Sequence, residues 1–275
     1  MTDDRPIKLC RWIRPLAAYV FACSAWMPLS SYAQDAPITA RTSGQSDNLI
    51  KFHPGNTAAP GLSVEVMQAV QRIDPTLKFV GQEVLRPLRR VEAELVAGKL
   101  DVFFGLVRNP ERAAKYLVLS PPLYRQFTQL AVRSEDPINI KTFDEIRQLG
   151  SAGIVGVPRG SAYVDHLNGL GGLTVDDGVA SVSSTLQKLI AGRVRFVFYG
   201  GAVLRKYIQE DGLEGKVRLL PARFYSEDVC VMVSRAADPQ LVLRIERALE
   251  RLRASGELAA IQDKYEVRGF PINRN

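Results

Sequence analysis

The sequence predicts an α/β protein made of two similarly built lobes, and three observations predict it. From Asn48 onward, short apolar runs alternate with segments of helical period. Leu100–Leu106 is a nearly continuous apolar run, as expected of a strand covered on both faces. And LVAGKLDVFFG at Leu95–Gly105 is echoed by LIAGRVRFVFYG at Leu189–Gly200. In both, an apolar helix end stops at glycine, a basic residue follows, and an apolar strand runs to a second glycine. Helix–glycine–strand is also a common joint, so coincidence is the competing explanation.

The elements follow in order. Asn48–Phe52 reads as a strand, and Leu62, Val66, Ala69, Val70 and Ile73 line one face of a helix. Leu77–Val84 is the second strand. Pro87 opens a helix with Leu88, Val91 and Leu95 on its face, and Gly98 ends it. Phe127–Val132 is a strand, and Thr142 with Glu145 forms a capping box for a short helix ending at Gly150. Gly153–Val157 is a strand, and Ser161 is placed to cap the helix after it. A helix spans about Ser184 to Ala191, stopped by Gly192, and Arg195–Tyr199 is the next strand. Asp238-Pro239 starts a long helix with Val242, Ile245, Leu249 and Leu252 inward, ended by Gly256. Repeated βα units of this kind predict mainly parallel sheets, with a ligand beyond the carboxyl ends of the strands, which Gly105 and Gly200 mark.

Composition bounds the function. The 275 residues are 46% hydrophobic and 24% charged, which excludes a disordered or collagen-like chain and suggests roughly two domains. Three cysteines are too few for a disulfide scaffold, and two histidines leave little for a histidine-rich metal site. No cofactor is expected. The net charge of +7 suits anionic small molecules, nucleic acid or a membrane surface equally.

Residues 1–33 read as an address. Lys8, Arg11 and Arg14 precede an apolar stretch from Pro15 to Leu29, and Ser31 and Ala33 bracket Tyr32 as at a signal-peptidase site. An uncleaved N-terminal anchor is the alternative, and a lipid anchor at Cys23 fits less well beside bulky Phe21. Removal of the segment lowers the charge from +7 to +5 and leaves Cys230 as the single cysteine, so stability must come from packing. Export makes nucleic acid an unsuitable partner and gives a periplasmic location.

The motifs then fall in a recognisable series. They are Gly61-Leu-Ser-Val-Glu-Val-Met67, Ala97–Asp101, Pro110-Glu-Arg112, Leu119-Ser-Pro-Pro-Leu-Tyr124, Val155–Ser161, the Leu189–Arg193 joint, and Arg253–Tyr265. In this order they resemble bacterial solute-binding protein family 3, the two-lobed periplasmic amino-acid-binding type, over nearly all of residues 48–266. The resemblance implies a type II periplasmic-binding fold, with two crossing strands near Arg125–Gln129 and Ala222–Val229 and ligand captured by hinge closure. The expected division is 34–125 and 223–275 in the first lobe and 126–222 in the second. A small-molecule ligand and a membrane permease complex or membrane receptor are the implied partners, and a monomer is expected.

By the same resemblance, Arg112 holds a ligand carboxylate, since guanidinium offers two parallel donors to two oxygens. The alternative is a surface arginine paired with Glu111 or Asp101. The preceding loop normally offers a small residue and a hydroxyl to the ligand's ammonium. Here Gly105 keeps the small residue, Leu106–Arg108 supply no hydroxyl, and Arg108 adds positive charge. Gly160-Ser161 matches the helix start that binds carboxylate in the family, where backbone N–H groups favour an anion, with Arg159 beside it. Ser161 also suits a plain capping role. Phe52 stands where the family often packs an aromatic on the ligand, though a core role is the alternative. Tyr199 is a further contact candidate, with Tyr124 beside the crossing.

One departure bears on the ligand. The aspartate that takes the ligand's ammonium in α-amino-acid binders corresponds to Gly200, and Arg195 stands at the other usual acidic position. A buried ammonium without a carboxylate partner is costly. The expected ligand is therefore a carboxylate-bearing or neutral polar solute, unless Glu227 or Asp228 replaces the missing acid. An enzyme of the dehydratase kind is the competing class, with Glu227, Asp228 and His53 as its acid–base candidates. The chain lacks a Gly-x-Ser-x-Gly elbow, a Cys-x-x-Cys pair, a His-Glu-x-x-His motif and a phosphate-binding Gly-Lys-[Ser/Thr] loop.

Overall fold

The computed structural model describes residues 1–2 and 36–268. Apart from its first two residues, the export signal read on residues 1–33, with Cys10 and Cys23, lies outside the described residues. From Ala36 the chain forms β1 (Ile38–Arg41), β2 (Gly44–Gln45), α1 (Leu62–Ile73), β3 (Leu77–Val80), β4 (Leu85–Arg86), α2 (Leu88–Val96), β5 (Val102–Val107), α3 (Pro110–Lys115), β6 (Tyr116–Val118) and β7 (Tyr124–Arg133). It continues through α4 (Phe143–Gln148), β8 (Val155–Gly156), α5 (Ala162–Leu170), β9 (Val175–Asp176), α6 (Val182–Ile190), β10 (Phe196–Gly200), α7 (Gly201–Glu210) and β11 (Val217–Leu219). The strand β12 (Ser226–Ser234) then returns to the first half, followed by α8 (Pro239–Ser255) and α9 (Glu257–Lys264).

Local chemistry sets several of these boundaries. Thr142 accepts from the Glu145 N–H at 3.3 Å, and the Glu145 carboxylate reaches back to the Lys141 N–H at 2.9 Å. Asp238 accepts from the Gln240 N–H at 2.8 Å, Pro239 occupies the first turn of α8, and Gly256 ends that helix at φ 80°. The echo seen in the sequence is an echo in geometry. Gly98 and Gly192 have φ of 66° and 71°. Lys99 N–H bonds the Glu94 carbonyl and Arg193 N–H bonds the Lys188 carbonyl, both at 2.9 Å and both spanning the glycine. The same glycine turn therefore aims β5 in one half and β10 in the other.

Two expectations are corrected. Asn48–Phe52 is a turn, because the Lys51 and Phe52 N–H groups both bond the Asn48 carbonyl and the Asn48 side chain accepts from Lys51 N–H. Local side-chain bonding of this kind competes with strand pairing. The first strand is β1 instead, which pairs parallel with β3. Nor are the sheets mainly parallel. Parallel pairs β1–β3, β2–β4, β8–β10 and β8–β9 stand beside antiparallel pairs of β12 with β5, β6 and β7, and of β7 with β10 and β11. The cause is the two long strands. β7 pairs with β12 through Tyr124–Phe127, then with β10 through Thr128–Ala131, so one strand belongs to both halves. β12 runs back alongside it and continues onto β5.

The β5 side chains alternate between two packed faces, as a strand requires. Phe103 meets Phe52 with ring centroids 5.8 Å apart, and Phe104 meets Phe79 at 5.0 Å. In the second half Phe198 is fully buried among Tyr163, Phe143 and Phe224. Buried Arg244 of α8 makes two bonds of 2.7 Å to Asp74 at the end of α1, tying the last helices to the first. Among the described residues, no helix is long and apolar enough to cross a membrane.

The turn at 48–52 is held by one glycine. Gly61 has φ 115°, and a Cβ there would lie 2.1 Å from the Lys51 carbonyl oxygen and 2.7 Å from the Phe52 Cα. Backbone cannot yield as a side chain does. Gly61→Ala is expected to destabilise the protein by about 3 kcal/mol or more, read as a shift of the urea midpoint.

Candidate functional site

Beside the paired strands β7 and β12 lies a cavity of about 400 Å³, part of it open to solvent. Gln45, Asn48, Lys51, Gly105 and Arg112 line it from the first half, Ser161, Tyr163 and Tyr199 from the second, and Gln126 from β7. It shares Gln45, Leu88, Ser161 and Tyr199 with a wider space of about 760 Å³ that also touches Asp47, Arg89 and Arg159. Other cavities of about 460 and 580 Å³ lie elsewhere, so volume does not select the site. Its chemistry does, because buried cations and an unpartnered hydroxyl meet here.

Arg112 sits in α3, whose N-cap Asn109 accepts from the Arg112 N–H at 2.7 Å. Its side chain is buried rather than on the surface, and its acidic partner is neither Glu111 nor Asp101. Glu111 pairs with Lys115, Asp101 pairs with Arg41, and Arg112 Nε bonds Glu92 of α2 at 2.9 Å. Glu92 also meets Nη2, and the Val107 carbonyl accepts from Nη1 at 2.9 Å. Each terminal nitrogen carries two hydrogens, so these contacts leave Arg112 further donors at the cavity it lines.

Facing it from the second half, Ser161 is the N-cap of α5, yet its side chain makes no capping bond. Its residue is 9% exposed and its Oγ has no protein partner. A buried hydroxyl left unbonded costs stability, and this one lies at a helix N-terminus where the backbone dipole favours an anion. The plain capping role offered by the sequence is therefore not the one the side chain plays.

Lys51 is the residue that sequence reasoning missed. It is 5% exposed, and its Nζ bonds the Gln45 side-chain carbonyl at 3.2 Å. A Cβ on Gly105 would lie 2.8 Å from Lys51 Cδ and 3.3 Å from Cε, so the lysine stem lies across that glycine. Burial, first, and the nearby Arg112 charge, second, push the Lys51 pKa down to about 7, against the opposite pull of Glu92 and Glu227.

The two candidate replacement acids, Glu227 and Asp228, are neighbours in β12 that both line an open groove but have different partners. Asp228 bonds Arg125 at 2.7 Å beside that groove, which also holds Arg108. Glu227 Oε2 accepts from the Tyr163 hydroxyl at 2.8 Å and the Gln126 amide at 3.0 Å, and so joins both crossing strands to α5. Burial, first, and the Glu227 charge, second, raise the Tyr163 phenol well above its ordinary range, so it stays a donor. Tyr199 is likewise raised to about 12, mainly by burial.

The structure thus brings Arg112, Gly105, Ser161 and Tyr199 to one cavity. Gly200 lies just behind, where a Cβ would meet Gln126 Oε1 at 3.1 Å. It does not bring the others there. Phe52 faces the core against Phe103, because the turn that buries it aims neighbouring Lys51 at the cavity instead. Arg159 lines the outer space and bonds the Asp177 and Gly178 carbonyls, while Arg108 and Asp228 line the separate groove. Tyr124 is buried with an unbonded hydroxyl and lines none of these spaces. Of the acid–base candidates, His53 lies in a different cavity, with Arg205 and Tyr265. Arg195, at the other usual acidic position, bonds Asp136 at 2.8 Å.

Comparison with known proteins agrees with this architecture. Among solved structures, a histidine kinase sensor domain with similarity to periplasmic binding proteins superposes with a TM-score of 0.71 at 21% identity, covering 84% of this chain and 97% of that one. A mutant of ArgBP from T. maritima gives 0.69 at 19% identity, covering 83% and 95%. The substrate binding protein of an amino acid ABC transporter gives 0.67 at 16%, covering 83% and 99%. At these identities the likeness shows the fold alone, the type II periplasmic-binding fold that the motif series implied. No curated protein sequence matches the chain. The profile of the bacterial extracellular solute-binding proteins, family 3, matches residues 43–268, and the chain belongs to that family.

Proposed function

We propose that this protein is an exported, periplasmic solute-binding protein that captures a small carboxylate-bearing solute between its two halves and presents it to a membrane permease. One observation carries the reading: the buried Arg112 guanidinium and the unbonded Ser161 hydroxyl line the same cavity. A carboxylate between them satisfies both, and its binding favours the closed arrangement by its differential contacts. Closure by bending of β7 and β12 is the motion this reading requires, because these strands pair with each other and extend into both halves.

Binding without turnover fits the site better than catalysis. Glu227 is held by two donors and Asp228 by Arg125 beside one groove, while His53 lies in another cavity, so none of the three acid–base candidates lines the proposed site. Delivery to a membrane receptor uses the same cleft, and capture of a membrane partner by the liganded protein separates it from delivery to a permease.

The test is a thermal-shift screen of the refolded protein against carboxylates, sugars and polyamines. A carboxylate present at about 1,000 times its Kd adds roughly 4 kcal/mol, a shift on the order of 10 °C at this size. A carboxylate hit supports the proposal. Stabilisation by sugars or polyamines alone refutes it.

A further inference from the structure

The donors and acceptors around the cavity are unequal in number. Its donors are Lys51 Nζ, with one bond to Gln45, the Arg112 guanidinium, and the unbonded Ser161 hydroxyl at the start of α5. No acidic residue lines it: Glu92 pairs with Arg112 nearby, Glu227 is held by Tyr163 and Gln126, and Asp47 lines the adjoining space. At the end of β10, Gly200 presents no side chain beside Gln126. An ammonium in this cavity would therefore meet Lys51 and Arg112 with no carboxylate among its lining residues.

The two cations are spaced by β5. The Lys51 stem crosses Gly105, and Arg112 is bonded to the carbonyl of Val107, two residues along the same strand. Gly105, at φ 125°, lies where the β5–β12 register shifts, and both cations line the same cavity. A carboxylate and an oxygen on the adjoining carbon offer each of them an acceptor. We propose that the solute is a 2-oxo or 2-hydroxy acid, whose carboxylate is held by Arg112 and Ser161 and whose neighbouring oxygen accepts from Lys51 in place of the ammonium of an amino acid. The proposal rests on the carboxylate-capture reading and narrows it.

The titratable and charged groups near Lys51 are Arg112, Glu92, Glu227 and the phenols of Tyr163 and Tyr199. An acceptor oxygen at Nζ favours the charged lysine, so these acids are expected to bind more tightly at about pH 6 than at about pH 8.5.

The experiment is calorimetric titration of the refolded full chain with matched trios: pyruvate, lactate and alanine; oxaloacetate, malate and aspartate; 2-oxoglutarate, 2-hydroxyglutarate and glutamate; and the branched-chain equivalents. Within the trio that binds, the oxo or hydroxy acid is expected to exceed the amino acid by on the order of 100-fold. Lys51→Met, and separately Lys51→Gln, should reduce that preference by at least about tenfold while the fold is retained. If the amino acid binds most tightly and Arg112→Ala abolishes it, this inference falls and carboxylate capture stands. If no acid of any trio binds, both fall. A preference unchanged in both lysine variants overturns the role of Lys51.

Discussion

Lys51→Met is expected to stabilise the unliganded protein while weakening capture of its anionic solute. The wild-type lysine holds a pKa of about 7 in the fold against an ordinary value of 10.5. Between those values the unfolded chain binds more protons than the native one, so stability rises with pH across that window. Below about pH 7 both states are protonated and the penalty of the buried charge is fully present. The methionine variant should therefore gain most near pH 6, on the order of 2–4 kcal/mol, and little near pH 10. Urea denaturation at the two pH values reads this directly. A variant less stable than wild type at pH 6, or one with the same pH slope, contradicts this account of Lys51. A charge kept at the expense of stability is what a binding residue shows, since function is commonly bought that way.

Arg112→Ala should have the largest effect on binding. It removes both donors to the ligand carboxylate and leaves Glu92 without its ion-pair partner beside the cavity. Affinity is expected to fall on the order of 100-fold or more, and stability by about 1–3 kcal/mol. Arg112→Lys keeps the charge but loses the planar fork, and a loss of about tenfold is expected. Glu92→Gln keeps an acceptor for Nε and should retain binding, so it separates lost ligand contact from a disturbed α2–α3 junction. Equal loss in Glu92→Gln and Arg112→Ala would assign Arg112 a structural role alone.

How much of this was legible in the sequence differs from element to element. β5 was readable because it is buried on both faces, and α8 because Asp238, Pro239 and Gly256 punctuate it. The paired joints at Gly98 and Gly192 were readable because a left-handed turn selects glycine wherever it recurs. Asn48–Phe52 misled, since its burial is that of a strand while its backbone bonds are those of a turn. α7 was missed because it opens at Gly200-Gly201, which reads as a turn. Its inward residues Val203, Leu204, Tyr207 and Ile208 nevertheless keep helical spacing.

The site divides the same way. Arg112 and Ser161, which line the cavity, were legible as candidates because short motifs mark their loops. Lys51 was hidden because a lysine between Ile50 and Phe52 reads as the exposed member of a strand, and its burial depends on Gly61 and Gly105 lying close in space. The available signal was a cation inside an apolar run, taken together with a glycine whose lack of a side chain had been credited to the ligand. The Gln126–Tyr163–Glu227 network joins two strands and a helix, and no local pattern encodes it.

The most direct test of carboxylate capture in this cleft is calorimetric titration of the refolded chain with its tightest carboxylate, alongside Arg112→Ala and Ser161→Ala. Arg112→Ala should abolish measurable binding, and Ser161→Ala should weaken it by about tenfold through loss of one hydrogen bond to a charged group. Binding undiminished in both variants would place the ligand outside this cavity and contradict the account.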